Sequence, residues 1–170
     1  MPHPLVLALF EDRRAAASAA VALRQLGVDR ADISVVARSH DEEGALANEL
    51  GATPGAEIED SRPAARLGEL GAHLLAAVAI ALPGIGPIVS AGPLAADLGE
   101  AAGHIAGGLA STLVRAGLSQ KQADGWQQRV ERDAVLLGVH VTTGGTELTG
   151  SVRRALEGAG AAETALAEWR

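Results

Sequence analysis

Five histidines, His3, His40, His73, His104 and His140, are the side chains of this chain best suited to acid–base or ligand chemistry, since imidazole titrates near neutrality and ligates metals. His73 lies ten residues before Pro83 and His104 eleven after Pro93. In an antiparallel helical pair turning between those prolines, the two rings sit at similar depth. That makes His73 and His104 candidate ligands for a metal or a haem. No carboxylate or third ligand accompanies them at metal-site spacing, so no metal or cofactor is assigned, and a hydrogen-bonded pair inside a helix interface is the simpler reading. His140 has no nucleophile pattern around it. Ser90, Ser111 and Ser119 fall in turn, helix and cap contexts, and no triad is visible. No catalytic residue is assigned, and the chain reads as non-enzymatic.

Two glycine turns invite a phosphate reading. Gly84-Ile85-Gly86 follows a predicted helix and precedes Pro87, whereas a dinucleotide fingerprint needs a preceding strand and a further glycine opening a helix. Thr143-Gly144-Gly145-Thr146 is better placed, between a predicted strand and a helix N-terminus. Free backbone N–H groups there attract anions, so Gly144, Gly145 and Thr146 form a candidate anion site. A capped turn with no ligand uses the same residue types.

The elements that must position these groups follow from apolar spacing. Pro4 to Phe10 reads as a buried strand, followed by a helix with Ala16, Ala19, Ala20, Leu23 and Leu26 on one face, ended by Gly27. Asp32 to Arg38 reads as a second strand. From Ser39 to Ser61 there are seven carboxylates and no Lys or Arg, which reads as a solvated linker. The carboxylates lack the spacing and central glycine of a calcium loop. Ser119 and Gln122 form a capping box for a helix to about Arg132, with Ala123, Trp126 and Val130 inward. Ala134 to Thr142 alternates as a strand. A last helix carries Leu148, Val152, Ala155, Leu156 and Ala159 inward, and the tail from Ala161 to Trp169 reads as a short edge strand. Trp126 and Trp169 are read as core or edge packing, with an interface anchor as the other reading.

The centre of the chain is the unusual part. Leu70 to Ala96 is twenty-seven residues without a charged side chain, and Gly99, Gly103 and Gly107 follow four apart. Ala64 to Leu82 reads as one helix, Pro83, Gly84, Gly86 and Pro87 as a hairpin turn, and Pro93 to about Ala116 as a second helix. Glycine inside a helix costs about 1 kcal/mol relative to Ala. A close helix–helix approach offsets that cost, with Gly68, Gly71, Ala72 and Ala76 on the facing helix. Each half is too short or too interrupted to be a convincing span, because crossing a bilayer takes roughly 20 apolar residues. Without the middle, the order is β-α-β twice. The expected fold is therefore α+β: a ferredoxin-like βαβ-βαβ domain with an inserted Gly/Ala-rich helical hairpin between strands 2 and 3. Its parts are 1–38 (first half), 39–63 (acidic linker), 64–117 (hairpin insertion) and 118–170 (second half).

Composition narrows the partners. Net charge is −7, no basic run exists and aromatics make up 2%, which argues against a phosphate-backbone or base-stacking surface and hence against nucleic acid. Cysteine is absent, so thiolate chemistry is excluded. The start lacks a basic segment followed by an apolar run and a cleavage site, so a cytoplasmic protein is expected, with peripheral contact at the inner membrane as an extension of the hairpin reading. The apolar surface predicts a homo-oligomer or contact with a membrane surface. A second reading is an oligomeric scaffold lining an apolar chamber that handles a lipophile (quinone, lipid or haem) for a partner redox enzyme.

The stretches "LVLALFEDRRAAASAAVALRQLGVDRADISVVAR" and "ALPGIGPIVSAGPLAADLGEAAGHIAGGLASTLVRAGLS" resemble the general stress proteins of the heat-induced YflT type, and "GWQQRVERDAVLLGVHV" fits their third-strand region. The P-G-I-G-P turn with the following A-G-P-L-A is the most specific part. The acidic linker is longer than that pattern has, and stays unassigned. The resemblance implies a Gly/Ala-rich hairpin between two small α/β halves and a link to stress response. It carries over no catalytic residues.

Overall fold

The computed structural model describes residues 2–38, 57–58, 77–82, 86–91, 93–94 and 108–170. The fold is α+β, an open antiparallel sheet packed with helices. Its strands are β1 (His3–Phe10), β2 (Ile33–Arg38), β3 (Glu57–Ile58), β4 (Ala77–Leu82), β5 (Gly86–Ala91), β6 (Val135–His140) and β7 (Glu163–Trp169). The helices are α1 (Arg13–Gln25), α2 (Leu109–Arg115), α3 (Gln120–Glu131) and α4 (Gly145–Gly158). Strand order across the sheet is β3-β4-β5-β2-β6-β1-β7. Among the described residues, no helix is long and apolar enough to cross a membrane.

The central strands have no solvent face. Leu5 to Phe10 and Val135 to His140 are buried throughout. Val6, Ala8, Phe10, Ile33, Val35, Val135, Leu137 and Val139 pack with Ala16, Ala19, Ala20 and Leu23 of α1 and Val152 and Leu156 of α4. On the other side, Leu5, Leu7, Leu9, Val36 and Leu136 pack with Leu94, Leu109 and Leu113 and with Ala123, Trp126 and Val130 of α3. Sheets covered on both faces carry near-continuous apolar strands instead of an in–out alternation. The run Leu5-Val6-Leu7-Ala8-Leu9-Phe10 follows from that constraint.

Local signals fix the helix ends. The Asp12 side chain accepts from the Arg14 N–H at 3.0 Å and opens α1. Gly27, at φ 85°, closes it, and Val28 N–H reaches back to the Leu23 carbonyl at 3.1 Å. This left-handed closing residue is the usual place for glycine. Ser119 Oγ accepts from Gln122 N–H at 3.3 Å and starts α3. The tail forms β7 against β1, pairing Leu5 with Ala167 and Leu7 with Ala165. Toward the end of β7, Glu168 N–H donates to the Ala116 carbonyl just past α2, at 2.9 Å. Trp126, 1% exposed, donates its indole N–H to Glu163.

The helical hairpin expected over 64–117 is corrected where the structure describes it. Ala77–Leu82 is strand β4, not the end of a helix. Gly86 and Pro87, expected in the turn, open strand β5, and they pair with Leu82 and Ala81. The connection is thus a β-hairpin, and β5 pairs with β2 from Val35↔Ala91 to Arg38↔Ile88. The physical reason is twofold. Short apolar runs carry no periodicity that separates strand from helix, and Val78, Ile80, Ile88 and Val89 are β-branched. The free edge of β2 also offers N–H and C=O groups that a strand can pair and a helix cannot. Of the second predicted helix, residues 93–94 are helical and α2 forms its end. The expected linker contains β3, which pairs with β4. Gly68, Gly71, Ala72, Ala76, Pro83, Gly84, Gly99, Gly103 and Gly107 lie outside the described residues.

One close approach organises the second layer. A Cβ on Gly138 would stand 2.8 Å from Leu94 Cδ1, with Leu7 and Leu5 methyls at 3.4 and 3.5 Å. Leu94 is fully buried, and it rests where a side chain at position 138 would be. Gly138→Val overpacks this contact and should lower stability by about 1–3 kcal/mol. In the double variant Gly138→Val/Leu94→Ala the two losses should add to less than their sum, because the smaller residue at 94 makes room. Urea unfolding of the four proteins measures this, and strict additivity would refute the contact.

Candidate functional site

The sheet register gathers four side chains that are distant in sequence. Ser34 pairs with Gly138 across β2 and β6, His140 pairs with Leu5 across β6 and β1, and His3 pairs with Trp169 across β1 and β7. Residues two apart on a strand share a face and reach their diagonal neighbours. Ser34, His140, His3 and Trp169 therefore form one row across four strands, on the face where Leu94 packs.

The row is hydrogen-bonded from end to end. Leu94 N–H donates to Ser34 Oγ at 3.0 Å. Ser34 Oγ and His140 Nε2 are 3.2 Å apart, and His140 Nδ1 and His3 Nε2 are 3.1 Å apart. Trp169 meets the His140 ring edge-on, with centroids 5.0 Å apart and planes at 89°. His140 is 2% exposed and Ser34 is fully buried. Burial, and secondarily the neighbouring charge on His3, pushes the His140 imidazole down from 6.5 to about 4, so it is neutral at pH 7.

This geometry bears directly on chemistry. A serine oxygen, a neutral imidazole and a second imidazole in line are the parts of a nucleophile relay. Here the serine oxygen is sealed in the interior and already accepts a backbone N–H, so no substrate carbonyl reaches it in this conformation. The row acts as internal wiring between strands. Among the described residues, no group of three His, Cys, Asp or Glu is placed to hold a metal.

The remaining candidates sort by position. His73 and His104 lie outside the described residues. Gly144, at φ 77°, and Gly145, at φ 55°, form the entry to α4, and a Cβ on Gly144 would strike Leu148 at 2.8 Å. A pocket of about 270 Å³ beside them has Asp29, Asp32, His140, Thr142, Thr143 and Leu148 among its lining residues. Thr142 donates to Asp32 at 3.3 Å, and Glu147 occupies the first turn of α4. Carboxylates at a helix start answer its positive end themselves and oppose an added anion. A shallower hollow of about 310 Å³ lies over Trp126, Lys121, Arg129 and Glu163. Its charged side chains are engaged in part, as Arg129 pairs with both Glu11 and Glu163.

In the sequence, His140 shows no nucleophile pattern around it. The partners Ser34 and His3 come from other strands, and only the register reveals them. One signal was available: a histidine near the outer end of each of two strands otherwise made of apolar residues. Comparison with protein-family models, with curated proteins and with solved structures found no match.

The buried imidazole makes stability depend on acid. The unfolded chain binds a proton on His140 below about pH 6.5, while the folded chain resists doing so until about pH 4. Stability should therefore be full above 6.5 and fall as pH drops through this window, by about 2 kcal/mol at pH 5 from this group. His140→Gln, which does not titrate, should remove that part of the slope. Urea midpoints at pH 7.5 and 5 for both proteins measure it, and an unchanged slope in the variant would assign the acid sensitivity elsewhere.

Proposed function

We propose that this chain is a non-enzymatic, stress-associated protein that works by assembling with copies of itself, through an apolar insertion carried on a ferredoxin-like core. Support for the core is the order β2-β6-β1-β7, which in sequence terms runs second, third, first and fourth strand of two βαβ halves, with α1 and α4 packed on a common face. The observation that carries the assembly reading is the hairpin of β4 and β5. It extends the sheet beyond β2, and its two strands contain no charged residue. A sheet segment without charge is stable against another apolar surface and costly against water. The sequence of the same insertion also carries Gly99, Gly103 and Gly107 four apart, the spacing that suits close helix contact.

The occupant favoured is a second copy, in the cytoplasm. Peripheral contact with the inner membrane is the second reading, favoured by the same lack of charge. Likeness to the general stress proteins of the YflT type is part of the proposal and adds no reaction. Light scattering tests it. The purified protein should have the mass of an oligomer, and Ile80→Lys should bring it to monomer mass while the far-UV circular dichroism keeps its shape; Gly103→Leu should weaken assembly in the same assay. A wild-type monomer in buffer that floats with anionic lipid vesicles would move the reading to the membrane. A monomer that ignores vesicles would refute both.

A further inference from the structure

The row Leu94–Ser34–His140–His3 has a property that packing alone does not require. It links a fully buried anchor residue, through three hydrogen bonds, to a half-buried imidazole near the end of the sheet. Ser34 on β2, His3 on β1 and Trp169 on β7 meet the His140 ring, and the carboxylates Asp29 and Asp32 line a pocket with His140. The charged residues closest along those strands are engaged elsewhere. Asp32 accepts from Thr142, and Glu168 pairs with Arg170. On α2, which packs over this face, Arg115 bonds Thr112 within its own helix.

Proton counting then separates two states. Each neutral imidazole has one N–H donor and one acceptor nitrogen. With both rings neutral, every link of the row holds one hydrogen. One added proton is accommodated. A single hydrogen still lies between His140 Nδ1 and His3 Nε2, and His140 Nε2–H donates to Ser34 Oγ, which accepts from Leu94. A second proton is different. His140 Nδ1–H would then face His3 Nε2–H across 3.1 Å, two donors with like charge and no acceptor between them. The rings must part. His140 is tied to Ser34, and Ser34 holds the Leu94 N–H, so parting the rings pulls on the seat of Leu94 over Gly138.

We propose that the His3–His140 pair is a two-proton latch, which keeps Leu94 seated on the sheet while it carries at most one added proton and releases it when both rings are charged. The latch links acidity to the anchor at residues 93–94, which leads into the apolar insertion. It stands on the hydrogen-bond geometry and the Gly138 contact, and it is independent of whether the insertion assembles.

Amide hydrogen exchange of Leu94, followed by NMR with far-UV circular dichroism at each pH, tests it. Protection of Leu94, corrected for the intrinsic rate, should be high at pH 7 and fall at least ~10-fold by pH 4 while the fold persists, as expected for a local opening. In His3→Gln, the amide oxygen accepts from a charged His140, so the pH-driven release should vanish. In Ser34→Ala, Leu94 should exchange fast at every pH. Release at the same pH in His3→Gln, protection persisting to pH 4, or release only together with loss of the dichroism signal would each overturn the latch. If His3→Gln does not fold, imidazole nitrogen spectra of the wild type decide. Two separated proton uptakes, the second coincident with Leu94 release, support the latch, and a single uptake, or release with the first proton, overturns it.

Discussion

Double-sided burial of β1 and β6 is the constraint on which the rest of this molecule depends. Neither strand has a wet side, so α1 and α4 cover one face and α2, α3 and Leu94 cover the other. Every polar atom on these strands must then find a partner inside, because an unsatisfied buried group costs about 1–3 kcal/mol. His140 meets that demand with Ser34 and His3. Gly138 meets a different demand on the same strand, giving up its side chain so that Leu94 can lie against the backbone. Strand β6 thus spends two of its six positions on docking the layer above it.

Much of the framework is legible in the sequence because its signals are local. Asp12 and Gly27 bracket α1, Ser119 and Gln122 start α3, and the alternation of Val135, Leu137 and Val139 marks β6. The β4 segment reads as helical in sequence for a reason that is not local. Ala-Val-Ala-Ile-Ala-Leu fits either state, and its partner β5 is itself held by the edge of β2, about fifty residues before it in the chain. The row of Ser34, His140, His3 and Trp169 was invisible for the same reason. A histidine in a strand announces a buried polar group, but which residues answer it depends on a register that composition does not encode. Leu94 is the extreme case, an ordinary leucine whose importance lies in the glycine beneath it.

The polar groups of the protein fall into two populations with different tasks. The buried His140 is neutral at pH 7 and, with Ser34, ties strands together. The ion pairs among the described residues lie at the surface: Arg129 with Glu11 and Glu163, Arg153 with Glu157, and Arg170 with Glu168. Exposed pairs of this kind contribute little each. Arg129 still has a structural task, since it joins the turn after β1 to the first residue of β7 beside the buried Trp126.

The hydrogen bond from Glu168 to the carbonyl of Ala116 has a consequence for how such molecules can stack. It takes up a main-chain donor on the outer margin of β7, the last strand of the sheet among the described residues. A fibre built by adding strand to strand requires both margins of every sheet to accept a neighbour. Were copies to join through the opposite margin alone, a two-fold pair would close there and leave no edge for a third.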